Sequence, residues 1–133
     1  MVNLLTAIVN KFEALPANTL HTALGGRLYF QQASQVTTYP YGVYNVVTNN
    51  PDYYFKGNDE DVIIDFHFYS QKPPVQELTG IYTACKSLFD DCKLTITGYT
   101  HYIFERGTTQ WFPDIEEGTN EVVVEYSIKM EKL

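Results

Sequence analysis

Two side chains that could exchange a proton, Asp65 and His67, lie two residues apart in the apolar segment that begins at Val62. Residues two apart on a β-strand point to the same face, so the carboxylate could orient the imidazole as an acid/base pair. The sequence places no Ser or Cys beside them, and such pairs are far commoner as plain polar surface. We therefore predict no catalytic residues and no enzyme. An enzyme is the third alternative, and its sign would be a concave site joining this pair to a nucleophile.

The histidines and acidic residues lack the spacing of a metal site. His21, His67 and His101 are scattered along the chain, with no cysteine at zinc-like spacing. The acidic run 58–61 resembles a calcium loop in composition, but it lacks the ligand spacing and distal Glu of an EF-hand, which favours a solvated turn. We expect neither a metal ion nor a cofactor.

The cysteines and the paired glycines also have ordinary interpretations. Cys85 and Cys92 lie in what is predicted as one helix, which separates their Cα atoms by about 10 Å, too far for a disulfide. We interpret both as thiols of the hydrophobic core. Gly25-Gly26 lacks the remaining glycines and the lysine of a phosphate-binding loop and therefore predicts a turn.

The composition predicts one domain over residues 1–133, since this length is enough for one hydrophobic core. The net charge of −7 argues against binding to a phosphate backbone, which needs a basic surface. Asn10, Lys11 and Glu13 interrupt the apolar run near the amino terminus, so we expect neither a secretory signal nor a membrane span. The protein is expected to stay in the cytoplasm where it is made, without a membrane partner.

The hydrophobic pattern predicts two helices and four or five strands. Apolar residues at helical spacing indicate one helix over 3–15 and a second that Pro73-Pro74 can open, with an apolar stripe from Leu78 to Phe89 that includes Tyr82. The predicted strands are Arg27–Phe30, Tyr41–Thr48 ended by a turn at 49–52, a strand from Val62, Lys93–Phe104 with a bulge at Gly98, and Glu121–Lys132. Each element has one apolar face. We therefore predict an α+β fold, with two helices packed on one face of a four- to five-stranded, mainly antiparallel sheet.

Two aromatic segments outside the helical stripes are candidates for contacts with other subunits. The segment 105–120 is expected to form a long loop, and exposed aromatics in such loops often anchor partners, although packing of the loop on the core is the competing interpretation. The three aromatics at 53–55 cannot all face one core if the chain is extended there. The candidate subunit or docking contacts are Tyr53, Tyr54, Phe55, Trp111 and Phe112.

The order of these segments resembles the tail completion, or tail terminator, proteins of long-tailed bacteriophages and prophages. The likeness covers most of the chain. It rests on the opening helix LLTAIVNKFEAL, then GGRLYF, YPYGVYNVV and DYYFKGNDEDVIIDFHFYS, and finally KLTITGYTHYIFERG after the second helix. None of these segments is a catalytic signature, so the resemblance depends on their order and spacing.

This resemblance implies a structural protein of the virion tail or neck, without a cofactor, that is synthesised in the bacterial host. Proteins of the family form rings, typically hexameric, that cap the head-proximal end of the tail tube and join it to the head connector. The implied partners are copies of the chain itself, the tail tube protein and the head connector proteins. DNA would pass through the ring, and a negative lumen would not hold its phosphates.

A second function from another class is compatible with the same elements. A helix-on-sheet domain could enclose an aromatic-lined cavity for a small ligand, because the chain contains 11 Tyr and 8 Phe residues. The solution mass separates the two possibilities, since a ring must self-associate.

Overall fold

The computed structural model describes residues 2–14, 18–33, 38–54, 57–72, 77–112 and 118–132. In these ranges, three helices cover one face of a five-stranded sheet. The elements are α1 (Val2–Glu13), α2 (Thr19–Leu24), β1 (Leu28–Phe30), β2 (Tyr41–Tyr54), β3 (Gly57–Ser70), α3 (Leu78–Phe89), β4 (Tyr99–Phe112) and β5 (Asn120–Lys132). The predicted α+β class is confirmed.

The sheet is mainly antiparallel, as predicted. Its strand order is β1-β2-β3-β5-β4, so β3 lies at the centre and β1 and β4 lie at the edges. Only the short β1 runs parallel to its neighbour, whereas β2, β3, β5 and β4 form antiparallel pairs. The two edges are separated by four strand spacings, or about 19 Å at roughly 4.8 Å each.

The third helix, α2, was not predicted. Asn18 caps its start, because the side-chain oxygen accepts a hydrogen bond of 2.8 Å from the His21 backbone N–H. Gly25 ends it in the left-handed conformation, with φ +60°, and Gly26 continues the predicted turn with φ +76°. A helix of six residues is too short to show a clear apolar period, which explains why the pattern missed it.

The core lies between the helices and one face of the sheet, the helix-side face. Val62, Ile64, Phe66 and Phe68 of β3 are all fully buried there, which confirms the predicted core face. The Phe66 ring stacks on Phe89 of α3 at 4.8 Å between centroids. The apolar face of β5 is equally buried and consists of Val122, Val124, Tyr126, Ile128 and Met130.

Strand β2 is longer than predicted, and the expected turn at 49–52 is wrong. Pro51 lies within the strand and is paired with Glu60 of β3. Proline is tolerated at this point because β1 pairs only with Gly42–Tyr44, so the second half of β2 has β3 as its one neighbour in the described part of the sheet. The acidic run 58–61, expected to be a solvated turn, lies within β3.

Strand β4 occupies Tyr99–Phe112 instead of Lys93–Phe104, so the long loop expected over 105–120 is wrong as far as residue 112. Register shifts between His101 and Ile103 and between Arg106 and Thr109 break the alternation of side chains. A strand with two such irregularities loses the two-residue period by which strands are predicted. The bulge expected at Gly98 is instead a turn before the strand, with φ +84°.

The two cysteines do not share a helix. Helix α3 ends at Phe89, and Asp91 then adopts a left-handed φ of +52° before Cys92. Both thiols are free and buried, and Cys85 lies against Tyr126, with 3.8 Å between Sγ and the hydroxyl oxygen. Their interpretation as core thiols is confirmed.

Candidate interaction surfaces

Asp65 and His67 lie on the outer sheet face, which is the face opposite the helices. They point to the same side, as the strand period predicted, and Nε2 of His67 lies 3.1 Å from Oδ2 of Asp65. A second carboxylate, Glu121 of β5, lies 2.8 Å from Nδ1. An imidazole can donate from both nitrogens only when it is protonated, so this geometry is that of an imidazolium ion between two carboxylates.

The electrostatics of this triad do not suit general-base catalysis. The hydrogen bond to Asp65 is the largest influence on His67, and with Glu121 it outweighs partial burial and raises the pKa to about 9. His67 is therefore a fixed cation at neutral pH. The neighbouring hydroxyl on the same strand, that of Ser70, is buried on the helix-side face and bonds to Glu77, so it is not placed to act with His67.

Glu121 is the functional partner that the sequence reasoning missed. It is 54 residues from His67 in the chain and becomes its neighbour only because β5 pairs with β3. The alternation of β5 placed Glu121 on the polar face, but no local signal gives the register between two distant strands.

A group of tyrosines continues the outer sheet face towards β1. Tyr69 stacks on Tyr41 of β2 with 4.9 Å between ring centroids, and Tyr41 lies 5.2 Å from Tyr39 and 6.3 Å from Tyr29. Burial is the main reason that the pKa values of Tyr41 and Tyr69 are raised. The hydroxyl groups therefore stay neutral, and the rings form a half-buried aromatic surface beside the charged triad.

Carboxylates also face one another elsewhere on the outer sheet face, although Asp61 there is opposed by Lys129, with 4.0 Å between Oδ1 and Nζ. Asp65 is directly opposite Glu125, and Asp59 is directly opposite Glu131, in the pairing of β3 with β5. Like charges in directly opposed positions destabilise a sheet by a few tenths of a kcal/mol to about 1 kcal/mol. This acidic arrangement is therefore unfavourable for the isolated fold.

Trp111 and Phe112 are the last two residues of β4, at one edge of the sheet. Their side chains are 42% and 48% exposed. Trp111 pairs with Val122 and so lies on the helix-side face, where its ring meets Tyr82 of α3 edge-on at 5.4 Å between centroids. Phe112 pairs with Glu121 and lies on the outer sheet face. Their role as contacts stays a prediction.

Polar contacts fix the ring on which Trp111 packs. The Tyr82 hydroxyl accepts a hydrogen bond of 2.6 Å from Arg106 Nη1, and Arg106 Nε donates to Asp90 Oδ2 at 3.2 Å. Lys86 Nζ lies 4.5 Å above the Tyr82 ring, within the range of a cation–π interaction. We call Tyr82, Lys86, Arg106 and Trp111 the tryptophan patch. The sequence assigned Tyr82 to the core stripe of its helix and gave no sign of this cluster.

A shallow apolar groove lies at the opposite edge of the sheet. It has a volume of about 270 Å³, and we call it the α1 groove. Its lining residues are Leu5, Thr6, Val9, Asn10 and Tyr44.

An exposed ring extends this apolar edge. Phe30 of β1 is 39% exposed and packs on Tyr44, a groove residue, at 5.3 Å between centroids. The volume of the α1 groove is below the range of about 300 to 1,000 Å³ typical of small-molecule sites. It suits one large side chain better than a ligand.

Two of the remaining predicted contacts lie at the end of strand β2. Tyr53 and Tyr54 belong to the end of β2, where they pair with Asn58 and Gly57. Phe55 lies outside the described residues. The contact role of these three residues stays a prediction.

Two further features concern possible ligands and membranes. Within the described ranges, no group of three or more His, Cys, Asp or Glu side chains is arranged to hold a metal ion. None of the helices in the same ranges is long and apolar enough to cross a membrane.

Comparison with known proteins gives a likeness of fold. No protein-family profile and no curated protein matches the sequence. Among solved structures, a chain from the virion of a native gene transfer agent particle superposes with a TM-score of 0.76, covering 96% of this chain and 94% of that chain at 7% identity. Another solved chain superposes with a TM-score of 0.54 over 99% of this chain and 94% of its own length, at 10% identity. This protein thus has the fold of a virion component, in agreement with the resemblance to phage tail proteins.

Proposed function

We propose that the protein is a structural component of a long-tailed phage or prophage, a tail terminator that caps the head-proximal end of the tail tube and joins it to the head connector. It acts in this proposal as a closed ring, typically of six copies, and its place is the neck of the virion. Its partners are other copies of the chain, the tail tube protein and the head connector proteins.

The observation that carries this proposal is the fold likeness to the gene transfer agent virion chain, with a TM-score of 0.76 over almost the whole of both chains. It agrees with the ordered sequence resemblance to tail completion proteins, which rests on different information. The environment of His67 also favours a structural role over an enzymatic one, because both ring nitrogens are occupied by carboxylates.

The distribution of exposed apolar side chains supports assembly into a ring. Trp111 and Phe112 lie at the β4 edge, whereas Phe30 lies at the β1 edge. A closed ring joins two different surfaces of each subunit, so every copy needs two separate patches. Two patches at opposite edges of one sheet satisfy that requirement.

The acidic outer sheet face supports a passage for DNA. Opposed carboxylates such as Asp65 and Glu125 lower the stability of the fold. A function that needs negative charge on this face would explain why they are present. A channel lined by negative charge repels phosphates and lets DNA slide without being held. We propose that this face supplies the negative lumen.

Tail tubes assembled without a terminator provide the test. The purified protein should co-sediment with these tubes, and electron microscopy should show a ring at one end of each tube. Heat-unfolded protein and tubes that are already capped are the controls. A protein that remains a strict monomer and never associates with tubes would contradict the proposal. A monomer that binds tubes would not, because the tube could act as the template for assembly.

A further inference from the structure

The tryptophan patch and the α1 groove lie in the same layer of the molecule but at opposite edges. Trp111 and Tyr82 lie beside β4 on the helix side of the sheet. The groove lies beside β2, also on the helix side, because Tyr44 belongs to the core cluster. Since β2 and β4 are three strand spacings apart, or about 14 Å at roughly 4.8 Å each, one molecule cannot bring its own patch into its own groove.

The two surfaces are complementary in shape and apolar character. The patch presents one indole ring that is 42% exposed and held in place by Tyr82. The groove is open, apolar along Leu5 and Val9, and has room for one large side chain in its volume of about 270 Å³. A rigid aromatic side chain entering an apolar pocket is the usual form of an interface hot spot.

The two surfaces are also complementary in charge. Lys86 Nζ and Arg106 Cζ lie 4.5 Å and 5.8 Å from the centroid of the Tyr82 ring in the patch. Beside the groove, the Glu13 carboxylate lies close enough to Tyr44 to raise the pKa of its hydroxyl, as a smaller influence than burial. Opposite charges at facing rims steer association and fix its register.

We propose that the tryptophan patch of one copy docks in the α1 groove of a second copy, with Trp111 between Leu5 and Val9 and with Lys86 facing Glu13. This inference rests on the proposed ring and names the surfaces that close it. The contact is head-to-tail, because the patch and the groove are different surfaces, and repeated contacts of this kind form a ring when the rotation between neighbouring copies closes.

Two blocking variants test the contact. Trp111→Ala removes the docking side chain, and Thr6→Arg places a long cation at the exposed rim of the groove without touching the core. Each variant should self-associate at least about 30-fold more weakly than the wild type, the scale of a hot spot. Ile103→Ala is the matched control, since Ile103 is 43% exposed on the same strand but lies on the outer sheet face opposite Lys129.

Mixing the two blocked variants gives a result specific to a head-to-tail contact. The Trp111→Ala chain retains a groove, and the Thr6→Arg chain retains a patch, so an equimolar mixture should form heterodimers that cannot grow further. Native mass spectrometry distinguishes these from homodimers by their mass. Failure to form heterodimers under conditions in which the wild type self-associates would overturn the contact, as would a wild type that stays monomeric at the highest attainable concentration even with tail tubes present.

A charge exchange provides a second measurement that does not depend on Trp111. Lys86→Glu and Glu13→Lys should each weaken self-association, because each places like charges across the interface. The double variant should recover most of the wild-type affinity. A double variant no stronger than either single variant would refute the pairing of these two residues.

The proposed function can fail separately from this contact. If the two variants form heterodimers but the wild type does not bind tail tubes, the contact between copies stands and the terminator role is refuted. Conversely, if Trp111→Ala and Thr6→Arg associate like the wild type but no longer bind tubes, the patch receives a tube subunit, and docking between copies is wrong.

Discussion

Replacing His67 with Gln should make the stability of the protein less dependent on pH. Asp65 and Glu121 raise the pKa of His67 to about 9, compared with an ordinary value of 6.5. The folded state therefore holds a proton that the unfolded state releases between these two pH values. A raised pKa gives stability that is fully present below about pH 6.5 and disappears as the pH rises through about 9.

The structure sets the size of this effect. A rise in the pKa of His67 from 6.5 to about 9 corresponds, at roughly 1.36 kcal/mol for each factor of ten in proton affinity, to about 3 kcal/mol at pH 6, of which roughly half remains at pH 8. The side chains of His67, Asp65 and Glu121 are only 20% to 23% exposed, so screening by solvent removes a modest part. We expect wild type to lose about 2 to 3 kcal/mol relative to His67→Gln between pH 6 and pH 9.5.

Urea unfolding at several pH values measures this difference, with fluorescence of Trp111, the single tryptophan, as the signal. Asp65→Asn provides a matched control, because loss of the first partner should move the pH window downwards. A stability difference between wild type and His67→Gln that stays constant from pH 6 to pH 9.5 would show that His67 is not held as a cation.

Three other variants or reactions test separate parts of the structure. Phe66→Ala should cost about 3 to 5 kcal/mol in urea unfolding because the ring is fully buried against Phe89, whereas Val47→Ala, 52% exposed, should change stability by less than about 0.5 kcal/mol. Glu125→Gln should stabilise the monomer by roughly 0.5 kcal/mol by relieving its repulsion with Asp65, and the gain should shrink at high salt; a loss of stability would refute the repulsion. Burial raises the pKa of the Cys85 thiol to about 12, so alkylation should require unfolding, and rapid reaction of the native protein would contradict this burial.

The apolar periods were the reliable part of the sequence prediction. The alternation from Val62 to Phe68 predicted the buried face of β3, and the helical spacing from Leu78 to Phe89 predicted the apolar stripe of α3, although the expected helix ran on to Cys92 and the observed one ends at Phe89. These patterns arise from local geometry, in which one face of each element must leave water. The class of fold followed, because helices and strands with one apolar face each pack together.

Irregular elements were predicted poorly. The two register shifts in β4 concealed its second half, so that Trp111 was expected in a loop, and Pro51 appeared to end β2. In both strands, the pairing with neighbouring strands determines whether the irregular residue is tolerated. A bulge is tolerated where a partner strand continues the ladder, and a proline is tolerated at the free side of an edge.

By itself, the sequence determined the buried faces of the regular elements such as β3 and β5, the α+β class and the presence of surplus aromatic and acidic residues. The tertiary structure decided which distant residues meet: Glu121 with His67, Tyr82 with Trp111, and α1 with Tyr44 to form a groove. The physical reason is the separation along the chain over which each kind of interaction acts. Burial and backbone preference act between near neighbours in the chain, whereas these contacts depend on strand order and register, which are properties of the whole sheet.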